Sequence, residues 1–387
     1  MPSNAELLQA LAQARGQTDL LFDLVHPDAL YERPIPERHR IIFYLGHLEA
    51  FDWNLLAATI HKPAFHPTFD HLFSFGIDPP AGQLPSDQPS DWPAEAEVRN
   101  YNLRVRHELD AALSNVPEQL LHVAIEHRLM HAETFAYMLH HLPFEQKIPP
   151  PFSVAAAGTT TPANPLVEIS AGTVTLGRSR TDGFGWDNEF DAHQVHVPAF
   201  AISQHKVTNG DYLEFVKAGA PAPHFWTCRQ GRWCYRGMFD NLPLALDWPV
   251  YVTQEQAQAY ARWKGLSLPT EAQFHRAAYD GGGFANENVD FRSWDPESAV
   301  ASPPNSLGVS QLVGNGWEWT ATPFEPFPGF EPFPFYPGYS ANFFDSQHYV
   351  LKGGSPRTAA CLLRPSFRNW FRPSYPYIYA TFRLVEN

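Results

Sequence analysis

The stretch "PEQLLHVAIEHRLMHAETFAYMLHHL", residues 117–142, decides how the first part of the chain folds. Its apolar side chains return every three or four positions, and Pro117 suits a first helical turn, so the spacing predicts an amphipathic helix. His127 and His131 stand one turn apart on a face that also carries Ala124 and Met138, and such a face points inward in a helical bundle. Two neutral imidazoles buried side by side need polar partners, and a metal ion would supply one. The same spacing also arises by chance in a chain with 18 histidines, and His122, His140 and His141 lie on the same segment. Taken alone, the pair is open to both readings.

Working outward, "AELLQALAQARGQTDLLFDLV" (5–25), "RIIFYLGHLEAFDWNLLAATI" (40–60) and "PAEAEVRNYNLRVRHELDAALSNV" (93–116) share the helical period. Four helices of this length predict an antiparallel four-helix bundle over residues 1–143, whose core is a natural place for a metal. The Pro-rich stretch 62–92 is expected to be a surface loop. His47, after Gly46 and amid large apolar residues, would by itself be an ordinary core histidine; with the other two it completes a three-histidine set on two helices. Three neutral ligands leave a divalent ion its full charge and open positions. That suits an anionic thiolate or selenolate together with O2 better than it suits a closed structural zinc. Glu133 is placed to accept a hydrogen bond from a ligand N–H.

The net charge of −14 argues against nucleic acid or an anionic membrane surface as partner. No run of about 18 apolar residues is present, so no membrane-spanning helix is expected. The first residues, "MPSNAELLQALAQARG", lack the apolar core of an export signal. A cytoplasmic protein, monomeric or a small homo-oligomer, is the expectation. In a reducing compartment Cys228, Cys234 and Cys361 read as free structural cysteines. The 37 prolines beside 29 Phe, 15 Tyr and 11 Trp predict ordered loops packed on aromatic rings.

After a small-residue, Pro-rich linker at 144–165, the grammar changes. From 166 to 387 strands are short and turns dense, with helices expected at 208–218 and 253–264, and no repeat has a fixed period. The whole chain therefore reads as α+β: a helical bundle joined to a mixed, loop-rich domain.

Five motifs in this second part keep a definite order: "VEISAGTVTLGR" (167–178), "DNEFDAHQVHVPAFAISQHKVTNGDYLEF" (187–215), "LSLPTEAQFHRAAY" (266–279), "GNGWEWTATPFEPFPGF" (314–330) and "YVLKGGSPRTA" (349–359). Together they resemble the formylglycine-generating-enzyme (sulfatase-modifying factor) fold, a C-type-lectin-like scaffold. Gly-His47 followed by His127-x-x-x-His131-x-Glu133 looks like a DinB-type bundle. The combination resembles the ergothioneine sulfoxide synthases and selenoneine synthase, enzymes that use non-heme Fe(II) and O2 to join sulfur or selenium to the imidazole of hercynine. The resemblance implies His47, His127 and His131 as iron ligands. It implies Tyr336 of "FYPGY", paired with Tyr339, as the donor of a proton or hydrogen, a role a neutral phenol suits. It assigns Asn369, Trp370 and Phe371 of "FRNWF" to the trimethylammonium of hercynine, through cation–π and polar contact.

Two departures bear on the substrate. Where the sulfur enzymes tend to show Asp after the Asn-Trp pair and Arg a few residues later, this chain has Phe371, with Tyr375 and Tyr377 beyond. An aromatic, hydroxyl-rich wall suits a sugar better than a zwitterion, which resembles selenoneine synthase and its selenosugar. Met130 stands where many sulfur enzymes carry a Gln that contacts the substrate imidazole. The favoured expectation is thus a selenoneine synthase. An ergothioneine sulfoxide synthase using cysteine or gamma-glutamylcysteine comes second, and a non-catalytic binding protein on the same scaffold is the alternative from another class. A Cys-dependent oxidase is weaker, because Cys228 and Cys234 fall outside the motif context it would need.

Overall fold

The computed structural model describes residues 2–77, 83–151, 154, 156–280 and 288–387. It divides into two compact units, Met1–Phe152 and Ser153–Asn387.

The first unit is helical, with α1 Asn4–Phe22, α2 Ile41–Leu56, α3 Pro67–Phe75, α4 Glu95–Asp110 and α5 Glu118–His141. α2 packs against α3, α4 and α5, and α1 lies along α5. The central place of α2 follows from its composition: Ile41 to Ala50 are all buried, so it has no solvent stripe. Ser3 starts α1 with a reciprocal cap to Glu6.

Two expectations about this unit change. The described residues hold five α-helices rather than four, and the stretch 62–92 is not wholly loop. Within it, "PTFDHLFSF" forms α3, with Pro67 in the first turn and the His66 side chain accepting from the Phe69 amide. A short helix with its cap outside the hydrophobic run hides easily inside a Pro-rich segment. Residues just past α5 pair back on the bundle: Val25 bridges Lys147, and the Ile148 amide donates to the Leu24 carbonyl.

The second unit runs β1 Leu166–Ile169, β2 Gly172–Leu176, β3 His193–Val197, β4 Phe200–Ser203, α6 Asn209–Lys217, β5 Trp226–Arg229, β6 Arg232–Arg236, β7 Asn241–Pro243, α7 Gln254–Lys264, α8 Glu271–Ala278, β8 Trp317–Pro323, β9 Tyr349–Lys352, β10 Asn369–Phe371, β11 Ala380–Thr381 and β12 Val385–Glu386. One sheet has the order β10-β9-β8-β11, with β11 parallel to β8; the others are β1-β4-β12, β2-β3 and β5-β6-β7. Ile169, Val174, Ile202, Phe274 and Leu312 fill the core between α8 and the strands. Thr208, Thr253 and Thr270 each cap the helix that follows. The α+β expectation holds. In the β5–β6 hairpin Cys228 faces Trp233 and Cys234 faces Thr227, so the two thiols lie on opposite faces of the ribbon and both are free.

Candidate metal centre and the aromatic site

α2 and α5 bring three imidazoles together. His47, His127 and His131 each offer a ring nitrogen, and these atoms all lie within 4.8 Å of one another. The Nε2 atoms of His47 and His131 are 3.2 Å apart. His47 is 8% exposed and His127 3%, whereas His131 is half-buried, so two of the three rings are closed off from bulk water and the third lies nearer the surface. The rings are held by neighbours: Phe51 lies flat on His127 at 3.4 Å, and Phe43 stacks on His47 at 4.8 Å.

His47 is oriented by a group the sequence did not point to. Its Nδ1 donates to the Phe73 carbonyl of α3 at 2.6 Å, which leaves the Nε2 lone pair toward the other two histidines. Gly46 makes this possible, because a Cβ there would come within 2.4 Å of the Phe73 ring. The Gly-His pair thus reads as one device: the glycine admits the ring, and the ring's own residue supplies the acceptor. Glu133, placed in that role from sequence, stands half-buried two residues past His131, and Met130 half-buried on the turn before it.

Electrostatics favour neutral imidazoles. Burial above all pulls His47 down to about 4, against the Phe73 hydrogen bond, which works the other way. Burial likewise holds His127 and His131 well below the ordinary histidine range, helped for His127 by His131, His47 and Arg128 and for His131 by His47, Arg38 and Arg128. Desolvated, uncharged nitrogens with converging lone pairs are what a borderline-soft divalent ion needs. The Nδ1 of His131 is buried without a hydrogen-bond partner among the described residues. The donor set therefore fits a divalent metal such as iron.

The second unit holds an aromatic site. Tyr339 stacks on Trp186 at 4.0 Å, Tyr336 meets Trp186 edge-on at 6.4 Å, and the two tyrosines are 5.6 Å apart. Tyr339 also meets Trp370 edge-on at 5.4 Å. One face of Trp370 is covered by Phe324, parallel at 4.2 Å, and Arg368 lies beyond Phe324. Beneath the tyrosines the Ser340 hydroxyl donates to the buried Asp187 carboxylate at 2.5 Å. Burial, and then the Asp187 charge, push the Tyr336 phenol above its usual range, so it stays protonated near neutral pH.

Strand geometry separates residues that the sequence reading grouped. Asn369, Trp370 and Phe371 are the three residues of β10, and alternation sends Phe371 to the face opposite Trp370. Trp370 joins Tyr339, while Phe371 stacks on Tyr375 at 5.3 Å. Tyr375 in turn meets Tyr377, and Tyr377 meets His224, each at 5.1 Å. Asn369 turns its Oδ1 back to accept the Trp370 amide. Trp186, Phe324 and His224 had no flag in the sequence, because each reaches the site from a distant segment.

The sulfatase-modifying factor enzyme 1-like domain matches residues 151–387, and the DinB superfamily matches residues 10–147. The chain belongs to the sulfatase-modifying factor enzyme 1-like family, in the two-domain form that places a DinB-superfamily bundle ahead of that domain. The particular relatives are consistent over the full length. The hercynine oxygenase of Mycolicibacterium thermoresistibile is 30% identical, covering 100% of this chain and 95% of that one. The hercynine oxygenase of Mycolicibacterium smegmatis is also 30% identical, over 100% of this chain and 99% of its own. Ergothioneine biosynthesis protein 1 of Schizosaccharomyces pombe is 29% identical over 94% of this chain, which spans 54% of the fungal protein. No helix among the described residues is long and apolar enough to cross a membrane.

Proposed function

We propose that this chain is a non-heme iron(II) enzyme that uses O2 to join a chalcogen donor to the imidazole carbon of hercynine, and that its donor is a selenosugar. The observation that carries the reading is the set of three neutral imidazoles, two of them buried and one half-buried, whose nitrogens gather within 4.8 Å, in a chain whose full-length relatives include hercynine oxygenases. Hercynine and the donor each give up one hydrogen as the C–Se bond forms. One oxygen atom of O2 goes to selenium and the other leaves as water, so the four-electron demand of O2 is met.

His47, His127 and His131 would hold the ion. Iron(II) bound there would lower the pKa of the selenol and activate O2. The chain's own groups do the rest. The Phe73 carbonyl keeps the His47 proton on Nδ1 and its Nε2 available. Tyr336 holds a proton on its phenol oxygen and delivers it during bond formation. Trp370, with its edge on Tyr339, offers a π surface to the trimethylammonium group, worth about 0.5–2 kcal/mol per ring.

The preference for a selenosugar rests on the second face of β10. Phe371, Tyr375 and Tyr377 form a run of touching rings with phenol hydroxyls, where a sugar can stack and hydrogen-bond. The second reading is ergothioneine sulfoxide synthesis from cysteine or gamma-glutamylcysteine. The exposed Arg372 beside Phe371 favours it, as do the relatives' names.

One experiment separates the readings. The protein is incubated with Fe(II), O2 and hercynine, offering cysteine, gamma-glutamylcysteine and 1-seleno-N-acetylglucosamine in parallel, and the products are identified by mass spectrometry. A coupled product with the selenosugar alone is the expected result. A product with the thiols alone reverses the donor assignment. Iron retention below about a tenth of an equivalent after anaerobic loading removes the enzyme reading and leaves a binding protein.

A further inference from the structure

Directly behind the histidines lies a buried network of charges that the chemistry above does not use. Arg128 follows the ligand His127 on α5 and is only 1% exposed. One of its terminal nitrogens, Nη2, donates to the Leu48 carbonyl at 3.0 Å and to Asp52 Oδ2 at 2.7 Å; the other, Nη1, donates to Glu49 Oε1 at 3.0 Å. Leu48 follows the ligand His47 on α2. One planar guanidinium therefore ties the residue after one ligand to the residue after another, across the two helices that supply the site.

The clamp is braced from outside. Arg106 of α4 donates to Glu49 Oε1 at 2.7 Å and to both oxygens of Asp19 on α1 at 2.7 Å. Glu49 Oε1 is thereby gripped by two guanidinium groups, from α4 and from α5. Replacing such a network by apolar packing would often be neutral or better for stability, so its presence beside the ligands asks for a reason other than the fold.

We propose that Arg128 is a positioning residue for the metal site: through Leu48, Glu49 and Asp52 it fixes the distance and rotation of α5 against α2, and so the spacing of His47 and His127. His131, one turn further along α5, is set by the same register. The role needs the fork of a guanidinium, since an ammonium cannot meet a carbonyl and two carboxylates in one plane.

The inference rests on the metal reading of the three histidines, and the test keeps the two apart. Co(II) is titrated into metal-free wild type, Arg128→Lys and Arg128→Met, recording affinity by calorimetry and the visible ligand-field bands of the bound ion. If wild type takes up no Co(II), the metal reading itself falls. If it does, positioning predicts that both variants bind about 10- to 100-fold more weakly, with shifted bands, as happens when the partner that orients a ligand is lost. A role through charge alone predicts the opposite pattern: Arg128→Lys normal, and Arg128→Met tighter because a nearby cation is gone. A purely structural role predicts a lower melting temperature with affinity and bands unchanged. Either of those last two patterns overturns the proposal. Should Arg128→Met fail to fold, Arg128→Lys decides, since it keeps the charge and most of the volume. Failure of both to fold also overturns it, because the network would then serve the fold rather than the ligand spacing.

Discussion

The bundle and the C-terminal unit each gather a site, but they do so by different means. In the bundle, one helical turn of α5 fixes His127 and His131, and a second helix brings in His47; the site is as rigid as the helices and depends on a few contacts between them. In the C-terminal unit, Trp186, Tyr336, Tyr339 and Trp370 come from two loops and a three-residue strand, and are set by ring-on-ring packing. The first arrangement concentrates function in three atoms, so single changes should be severe. The second spreads it over surfaces, so single changes should be graded.

The largest effect should follow His127→Ala. Loss of a ligand should weaken iron binding by more than the roughly 10- to 100-fold that an orienting partner contributes; metal content of the purified variant checks this, and retention of a full equivalent of iron would break the comparison. Tyr336→Phe should come next, with iron content unchanged and coupled product reduced by about 10²–10⁴-fold, the usual range for a lost proton donor. Product analysis also shows whether turnover diverts to oxidation of the chalcogen donor alone. Normal coupling would remove Tyr336 from its assigned role.

Gly46→Ala should be milder and would sharpen the link between α3 and the site. Its Cβ would press on the Phe73 ring at 2.4 Å, so about 1–3 kcal/mol of stability should be lost through overpacking. His47 should lose its acceptor as well. Denaturant titration and Co(II) affinity measure the two consequences separately. The last effect concerns pH and involves no change of residue. In the folded metal-free protein His47 titrates at about 4, whereas an unfolded histidine titrates near 6.5. The unfolded chain then binds more protons between those values, so stability should rise from pH 4 to 6.5 and be lost again on acidification. A flat melting temperature across that window would contradict the buried, neutral state.

This contrast also explains what the sequence could tell. The spacing of His127 and His131 was legible because helix periodicity is a local property, and the five ordered motifs pointed to the scaffold of residues 166–387. His47 alone reads as an ordinary core histidine; it joined the set only beside the other two, and the family likeness then implied it as a ligand. The Phe73 carbonyl was not legible at all: a backbone acceptor carries no side-chain signature, and α3 was masked by the Pro-rich segment around it. The grouping of Trp370 with Phe371 came from the family resemblance of the "FRNWF" segment; neighbours in a strand point to opposite faces. Asp187 and Ser340 meet across 153 positions, a pairing that only the fold reveals.

The three residues of β10 have one more consequence. A strand this short behaves as a partition, with Trp370 on one side and Phe371 on the other. Each compartment can be altered without rebuilding its neighbour. On the proposed function, selectivity for hercynine and selectivity for the chalcogen donor would then be separable traits, open to independent change by evolution or by an engineer working at single positions.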